Sequence, residues 1–419
     1  MKSYKFRLYP TRKQTETLQW TLDHCRELYN AALQERRDAY NLMVRQHPNY
    51  HDVETRKQLT KEYAVGFNQQ SAQLPEIKGV REEYKEVYAQ VLQDTLHRVD
   101  KAMKAFFLRV KNGQTPGYPR YQGKARYDSF TYPQVSTGTC ALKVEGNRLY
   151  LPKIGHVKIK LHREIIGKIK TCTIKREGEH WYVCFACEVE AVQKLPYTDL
   201  AIGVDMGLKY FVTTSDGDTI QNPRHFRKSH GLLKKRQQRL ARKKKNSNRR
   251  KKASRLVART HRKIRNQRQD FRHKAARQLV STYETIVFED LSIHNMVRRP
   301  KPKQDENGRY LPNGASAKSG LNKSIQDAGW ASFIELVEHK AEWAGVTVYK
   351  VNPYKTSQLC SACGLEGEHK DLSVRTHVCV HCGVVLDRDH NAAINIRDRG
   401  LGRSLHEPVS LGTFQETAV

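Results

Sequence analysis

Four cysteines near the C-terminus carry the clearest chemistry in this chain. Cys360 and Cys363 form one CxxC pair and Cys379 and Cys382 a second, with fifteen residues between the pairs. Thiolates at that spacing suit one tetrahedral Zn²⁺ between two short knuckles, each turned by a glycine, Gly364 and Gly383. The second knuckle runs directly into Asp387, Arg388, Asp389, His390 and Asn391, and then the small residues Ala392 and Ala393. Small residues let a helix pack closely, so a metal-stapled ribbon of this kind fixes an acid at a helix start. Two more acids stand against apolar strands: Asp205 in mid-strand of LAIGVDMG, and Glu289 at the C-terminal end of the strand in YETIVFEDL. Burying a carboxylate there costs several kcal/mol unless a cation or a metal compensates it.

A third CxxC, Cys184 and Cys187, reads differently. Its surroundings, HWYVCFACEVE, alternate like a strand, so residues three apart point to opposite faces and cannot easily share a metal. These two, with Cys25, Cys140 and Cys172, read as packing residues.

The elements that must position the acids come with an extreme charge. With 75 Lys and Arg against 43 Asp and Glu, the net charge of +32 calls for a polyanionic partner, nucleic acid ahead of an anionic membrane surface. No apolar run approaches the roughly 18 residues of a spanning helix. The start, MKSYKFRLYP, lacks a signal-peptide core. A cytoplasmic, nucleoid-associated protein with reduced or metal-bound cysteines is expected.

Residues 3–9 alternate as a strand, and Thr11 with Gln14 makes a capping box for a long helix carrying Leu18, Leu22, Cys25, Leu28 and Ala32. A second clear helix is expected from about 80 to 111, with Val87, Val91, Leu92, Thr95, Val99, Ala102 and Phe106 inward. In the turn-rich stretch that follows, Tyr118, Arg120, Tyr121, Lys124 and Arg126 interleave rings and cations, suiting base stacking with phosphate pairing. The text from 127 to 190 is β and predicts a small barrel, joined by the first strand, with the helices inserted. Residues 231–280 hold 21 Lys or Arg and one acid, and their apolar positions predict two helices joined near Asn246–Asn248. Such density self-repels without a partner, so Arg249, Arg250, Lys251, Lys252, Arg255 and Arg259 are expected on phosphates. Residues 298–323 read as a mobile loop. A helix over about 325–344 and the strand VTVYKV lead into the cysteines.

Asp205 with its hairpin, Glu289, and an acid opening the last helix follow the order in which an RNase H-like fold assembles a carboxylate cluster. Such a cluster holds two Mg²⁺ ions about 4 Å apart, one activating water and one stabilising the leaving oxygen. The spacing leaves open whether Asp387 or Asp389 is the third ligand.

Several stretches together resemble TnpB, the transposon-encoded RNA-guided nuclease family related to type V CRISPR effectors. They are KFRLYPTRKQ, GVDMG, FEDL, KSIQDAGWASFIELVEHKAEWAGVTVYKVNPYKTSQLCSACG and RTHVCVHCGVVLDRDHNAAINI. The resemblance implies a multidomain α/β protein: an RNase H-like (RuvC-type) nuclease with a zinc ribbon, a small wedge β-barrel and an inserted all-α recognition domain. The boundaries expected are 1–10 for the first wedge strand, 11–115 for the recognition helices and 116–195 for the wedge barrel. Residues 196–355 then form the nuclease, 356–385 the zinc ribbon, 386–400 the last nuclease helix and 401–419 a flexible tail. The resemblance also implies a guide RNA from the transposon end and cleavage of double-stranded target DNA beside a short motif, by a prokaryotic protein, a monomer for preference. It favours Asp389 over Asp387, which would then cap the helix, and it places Arg375 near the scissile phosphate. The runner-up is an RNase H-like transposase, or an accessory DNA-binding transposition protein, using the same acids. A non-catalytic zinc-ribbon binder would explain the charge but leave the buried acids uncompensated.

Overall fold

The computed structural model describes residues 1–46, 52–135, 143–189, 200–367 and 374–403, which form two compact units, Met1–Glu190 and Ala191–Val419. Cys140 and most of the expected tail lie outside the described residues.

In the first unit, β1 (Lys2–Tyr9) buries Tyr4, Phe6 and Leu8 and turns Lys5 outward. It is followed by α1 (Arg12–Gln46), α2 (Val53–Tyr63), α3 (Phe67–Ala72), α4 (Leu74–Val80) and α5 (Ala89–Lys111). The Thr11/Gln14 box is made in both directions, Gln14 N donating to Thr11 Oγ1 at 3.3 Å and Thr11 N to Gln14 Oε1 at 3.0 Å. The helix expected from about 80 instead begins at Ala89, because a 3₁₀ turn (Glu82–Glu86) and extended Val87 precede it. Ala102 and Phe106 are only partly covered.

Six short strands complete the unit: β2 (Ser129–Tyr132), β3 (Val144–Glu145), β4 (Arg148–Leu151), β5 (Gly155–Lys160), β6 (Lys168–Glu177) and β7 (His180–Glu188). The sheet order is β2-β6-β7-β1-β5-β4-β3, so the N-terminal strand joins the others as expected. Among the described residues β2 and β3 are edges, so the small barrel read from the sequence is a half-barrel sheet. Its apolar face is covered by α1 and α5: Phe6, Phe130 and Phe185 share one core with Leu22, Leu92 and Val99. Along β7, Val183, Phe185 and Cys187 are buried while Cys184 lies on the other face, so this CxxC pair diverges as alternation requires.

The second unit is built on β8 (Ala201–Asp205), β9 (Tyr210–Thr214), β10 (Thr219–Gln221), β11 (Thr285–Glu289) and β14 (Thr347–Val351). The order is β10-β9-β8-β11-β14, antiparallel through the β8–β9–β10 meander and parallel for β8, β11 and β14. Asp205 is the last residue of β8, not a mid-strand one as the sequence suggested. Between β10 and β11 come α6 (His225–Ala241) and α7 (Asn248–Thr282), the expected basic hairpin, turned through left-handed Asn246. Between β11 and β14 come α8 (Ile293–Met296), the hairpin β12 (Lys303–Gln304) and β13 (Tyr310–Leu311), then α9 (Ala315–Ala328) and α10 (Trp330–Ala344). The stretch read as a loop therefore holds a hairpin and the start of a helix. The single helix read over 325–344 is two, separated at left-handed Gly329.

One face of this sheet, Ile202, Val204, Ile286 and Phe288, packs with α7 and α10 through Ala276, Leu279, Phe333 and Val337. The other face receives α11 (Arg388–Gly400), which follows the ribbon strands β15 (Thr376–Val378) and β16 (Val385–Asp387). Gly203 makes this approach possible: a Cβ there would stand 2.0 Å from the carbonyl oxygen of Ala393. No helix among the described residues is long and apolar enough to cross a membrane.

Candidate active site

Pleat and register bring the acids together. Gly203 faces α11, and residues two apart on a strand share a face, so Asp205 points to the same side further along. On the adjacent parallel strand Phe288 stands opposite Val204, which makes Glu289 the neighbour of Asp205. Asp389 lies one helical turn before Ala393, the residue resting on Gly203. Sheet and helix thus deliver three carboxylates to one edge, where parallel strands end.

Asp205 feels both of the other acids. Burial, then the charges of Glu289 and Asp389, hold Asp205 well above the usual carboxylate range. Burial also raises Glu289, opposed by the Thr356 hydroxyl and by Arg399. Burial and Asp387 raise Asp389, opposed by Arg375, whose Nη1 lies 3.5 Å from Asp389 Oδ1. At each acid burial outweighs the cations nearby, so the carboxylates are only partly compensated. Their hard oxygen donors suit Mg²⁺, so the residues present fit the expected ions. Asp387 does something else. Its carboxylate caps α11, accepting from the amides of Asp389 at 2.8 Å and His390 at 3.3 Å.

The four cysteines meet as well. Cys360 and Cys382 have sulfurs 3.7 Å apart, Cys363 and Cys379 3.6 Å, and all four ligand atoms lie within 4.8 Å of one another. A tetrahedron with Zn–S bonds of about 2.3 Å has edges near 3.8 Å, whereas a disulfide needs about 2.05 Å. The cluster fits zinc and excludes disulfides. Left-handed Gly364 and Gly383 close the knuckles, their amides donating to the carbonyls of Cys360 at 2.8 Å and Cys379 at 3.0 Å. Burial pushes Cys360 up to about 12. At Cys379 burial is outweighed by the amides of Cys382 and His381, which bring the thiol down to about 6.

The expected nucleic-acid residues divide into two sets. Tyr118, Arg120 and Tyr121 line an open groove of about 380 Å³ with Pro119 and Arg37 of α1, a residue the sequence reading missed. Tyr118 rests edge-on against Phe106, and the Tyr121 hydroxyl donates to Gln34. Arg126 is exposed, whereas Lys124 pairs with Asp23 at 3.6 Å. On the basic hairpin, Arg249, Lys251, Lys252, Arg255 and Arg259 are exposed. Arg250 departs from its expected role: Nη1 donates to the carbonyls of Leu240 at 3.1 Å and Lys243 at 3.0 Å. It closes the turn between α6 and α7, because the end of α6 leaves carbonyls that need donors.

Also missed were Thr356, Asn391 and Asn395, all buried beside the acids. For Asn391 and Asn395 the available signal was polar residues on a helix face otherwise made of Ala392, Ala393 and Ile396.

Comparison with known proteins places the chain. It is 30% identical over 402 residues to "Putative RNA-guided DNA endonuclease InsQ" of Escherichia coli (strain K12), spanning 96% of this chain and 92% of that protein. It is 32% identical over 410 residues to "Putative RNA-guided DNA endonuclease" of Streptomyces pristinaespiralis, spanning 96% and 90%. The chain belongs to the TnpB family. Family models match residues 184–299 ("Probable transposase"), 330–396 ("Cas12f1-like, TNB domain") and 1–43 ("Helix-turn-helix domain"). Despite the last description, residues 1–43 of this TnpB-family chain hold one strand and part of one continuous helix. A solved structure, "Cryo-EM structure of the Cas12f1-sgRNA-target DNA complex", aligns with TM-score 0.55 over 92% of this chain and 83% of that one. At 14% identity that likeness is one of fold.

Proposed function

We propose that this TnpB-family protein is an RNA-guided DNA endonuclease, hydrolysing phosphodiester bonds at a three-carboxylate centre on an RNase H-like (RuvC-type) domain. The convergence of Asp205, Glu289 and Asp389 on one sheet edge carries the reading. The sheet supports it: a three-stranded antiparallel meander whose first strand begins a parallel run, in the order 3-2-1-4-5. The names of the relatives and the charge of +32 support RNA and DNA partners, which on this proposal are a guide RNA from the transposon end and double-stranded DNA. On this reading the first unit comprises the wedge and recognition domains.

In the proposed chemistry Asp205, Glu289 and Asp389 hold two Mg²⁺ ions. Bound there, the ions would supply an activated water and a Lewis acid at the leaving oxygen. Thr356 orients Glu289, and the Asp387 cap fixes the first turn of α11 and so aims Asp389. Arg375, paired with Asp389, would meet a phosphate oxygen of the bound strand. Cys360, Cys363, Cys379 and Cys382 hold one structural Zn²⁺ that keeps the ribbon beside α11.

The test supplies the protein with two RNAs differing only in the guide portion, on two matching DNAs. Cleavage that follows the guide is expected. Cleavage that ignores it, or joined strands among the products, overturns the guided reading in favour of the transposase that the family description names.

A further inference from the structure

One short segment touches the Glu289 carboxylate and the helix turn that carries Asp389. It runs from Thr356 to Ser361 and contains the first zinc ligand, Cys360. The buried Thr356 hydroxyl donates to Glu289 Oε1; its other acceptor, the Pro353 carbonyl, is at 3.2 Å and uncharged, so the carboxylate is the stronger claim on its single proton. The carbonyls of Thr356 and Leu359 accept from Asn395 Nδ2 at 2.9 and 2.8 Å. Leu359 O also accepts from Asn391 Nδ2 at 2.8 Å, while Ser361 N donates to Asn391 Oδ1 at 2.9 Å. Both asparagines are fully buried, and Asn391 lies two residues beyond Asp389. An asparagine that donates and accepts against one backbone segment fixes that segment's register, since a shift would strand several buried polar groups. The bracket thus grips Glu289 through Thr356 and the first turn of α11 through Asn391, and it continues into the thiolate cluster.

We propose that Thr356 and Asn391, braced by Asn395, are positioning residues that couple the first zinc knuckle to the carboxylate edge. They set Glu289 and Asp389 relative to one another, and the zinc acts on the carboxylate edge through this bracket. The proposal rests on reading the three carboxylates as divalent-ion ligands.

The test uses the purified full chain without nucleic acid and follows Mn²⁺ binding by loss of the free-ion EPR signal. Zinc content and melting temperature are measured alongside. Thr356→Val, which keeps shape and removes the hydroxyl, should weaken Mn²⁺ binding about 10–100-fold, the usual cost of losing an outer hydrogen bond to a ligand. Thr356→Ser should bind like wild type. Asn391→Asp, which sets an acceptor against the Leu359 carbonyl, should also lose about tenfold or more. In each variant zinc should stay at one per chain; melting should shift little in Thr356→Val and fall in Asn391→Asp, which buries a carboxylate. Wild-type affinity in Thr356→Val and Asn391→Asp overturns the coupling, as does an affinity that, in Thr356→Val, falls only in step with zinc or melting temperature. A wild-type chain that binds no Mn²⁺, or Asp205→Ala binding as tightly as wild type, overturns the ligand reading and this proposal with it.

Discussion

The thiolate cluster and the carboxylate edge stand beside one another in the chain, yet they are assembled differently. The cluster takes all four ligands from one ribbon, and two knuckle turns bring each pair together within a few residues. The edge takes its acids from two parallel strands and a terminal helix, separated by a long basic hairpin and a second helical crossover. Soft thiolates are complete once the metal arrives, and local turns specify the site. Crowded carboxylates oppose their own assembly, so the packing of α11 on Gly203 must hold them. One site stabilises the fold, and the other is a cost that the fold bears.

The sharpest way to break this comparison is to remove one acid. Asp205→Ala, Glu289→Ala or Asp389→Ala should each lower Mg²⁺-dependent DNA cleavage by about 10³-fold or more while binding to nucleic acid persists. Asp387→Ala should be milder, because that side chain caps the helix. Full cleavage by any one of the three variants removes that residue from the cluster.

Next comes the zinc. Cys360→Ser or Cys382→Ser should release it, as read by elemental analysis, and lower cleavage about tenfold or more through the ribbon's packing beside α11. Cys184→Ser should keep it, since its strand separates it from Cys187. Zinc retained by Cys382→Ser would move the site elsewhere.

Charge on the basic hairpin should matter less per residue. Replacing Arg249, Lys251 and Lys252 with glutamine should weaken binding alike for every target. It should also flatten the log–log salt dependence by about 0.7–0.9 for each phosphate that is no longer neutralised. Arg250→Gln should instead lower the melting temperature, as its guanidinium serves the turn.

The smallest effect is the most diagnostic of cost. In the folded chain Asp205 keeps its proton above the ordinary carboxylate value of 3.8. As pH rises past that value the unfolded chain releases the proton first, and the metal-free fold loses stability. Asp205→Asn should therefore gain stability on wild type progressively as pH rises above the ordinary carboxylate value. Urea unfolding in chelator checks this. A variant less stable at every pH would mean the carboxylate is already compensated.

How much of this was legible follows from where each signal resides. The Cys360/Cys363 and Cys379/Cys382 spacing, the Thr11/Gln14 box, the alternation of β1 and β7 and the periodicity of α6 and α7 are local, and all appear where their residues place them. Alternation alone also told Cys184 from Cys187. The break at Gly329 and the hairpin within 303–311 escaped because a left-handed glycine and a two-residue strand leave no periodic trace. The half-barrel sheet of the first unit escaped for another reason: short strands do not reveal whether an edge or a pair of helices will cover their apolar face. Arg250, Thr356, Asn391 and Asn395 act through groups set apart from them in the chain, and composition does not show which polar residue will find such a partner. The sequence by itself determined that the chain has a tetrathiolate site, a cationic hairpin and acids beside apolar strands, since each depends on neighbours a few residues away. Only the tertiary structure decided that Asp205, Glu289 and Asp389 come to one edge and that Asp387 caps α11, because that depends on strand register and on the depth to which α11 settles against Gly203.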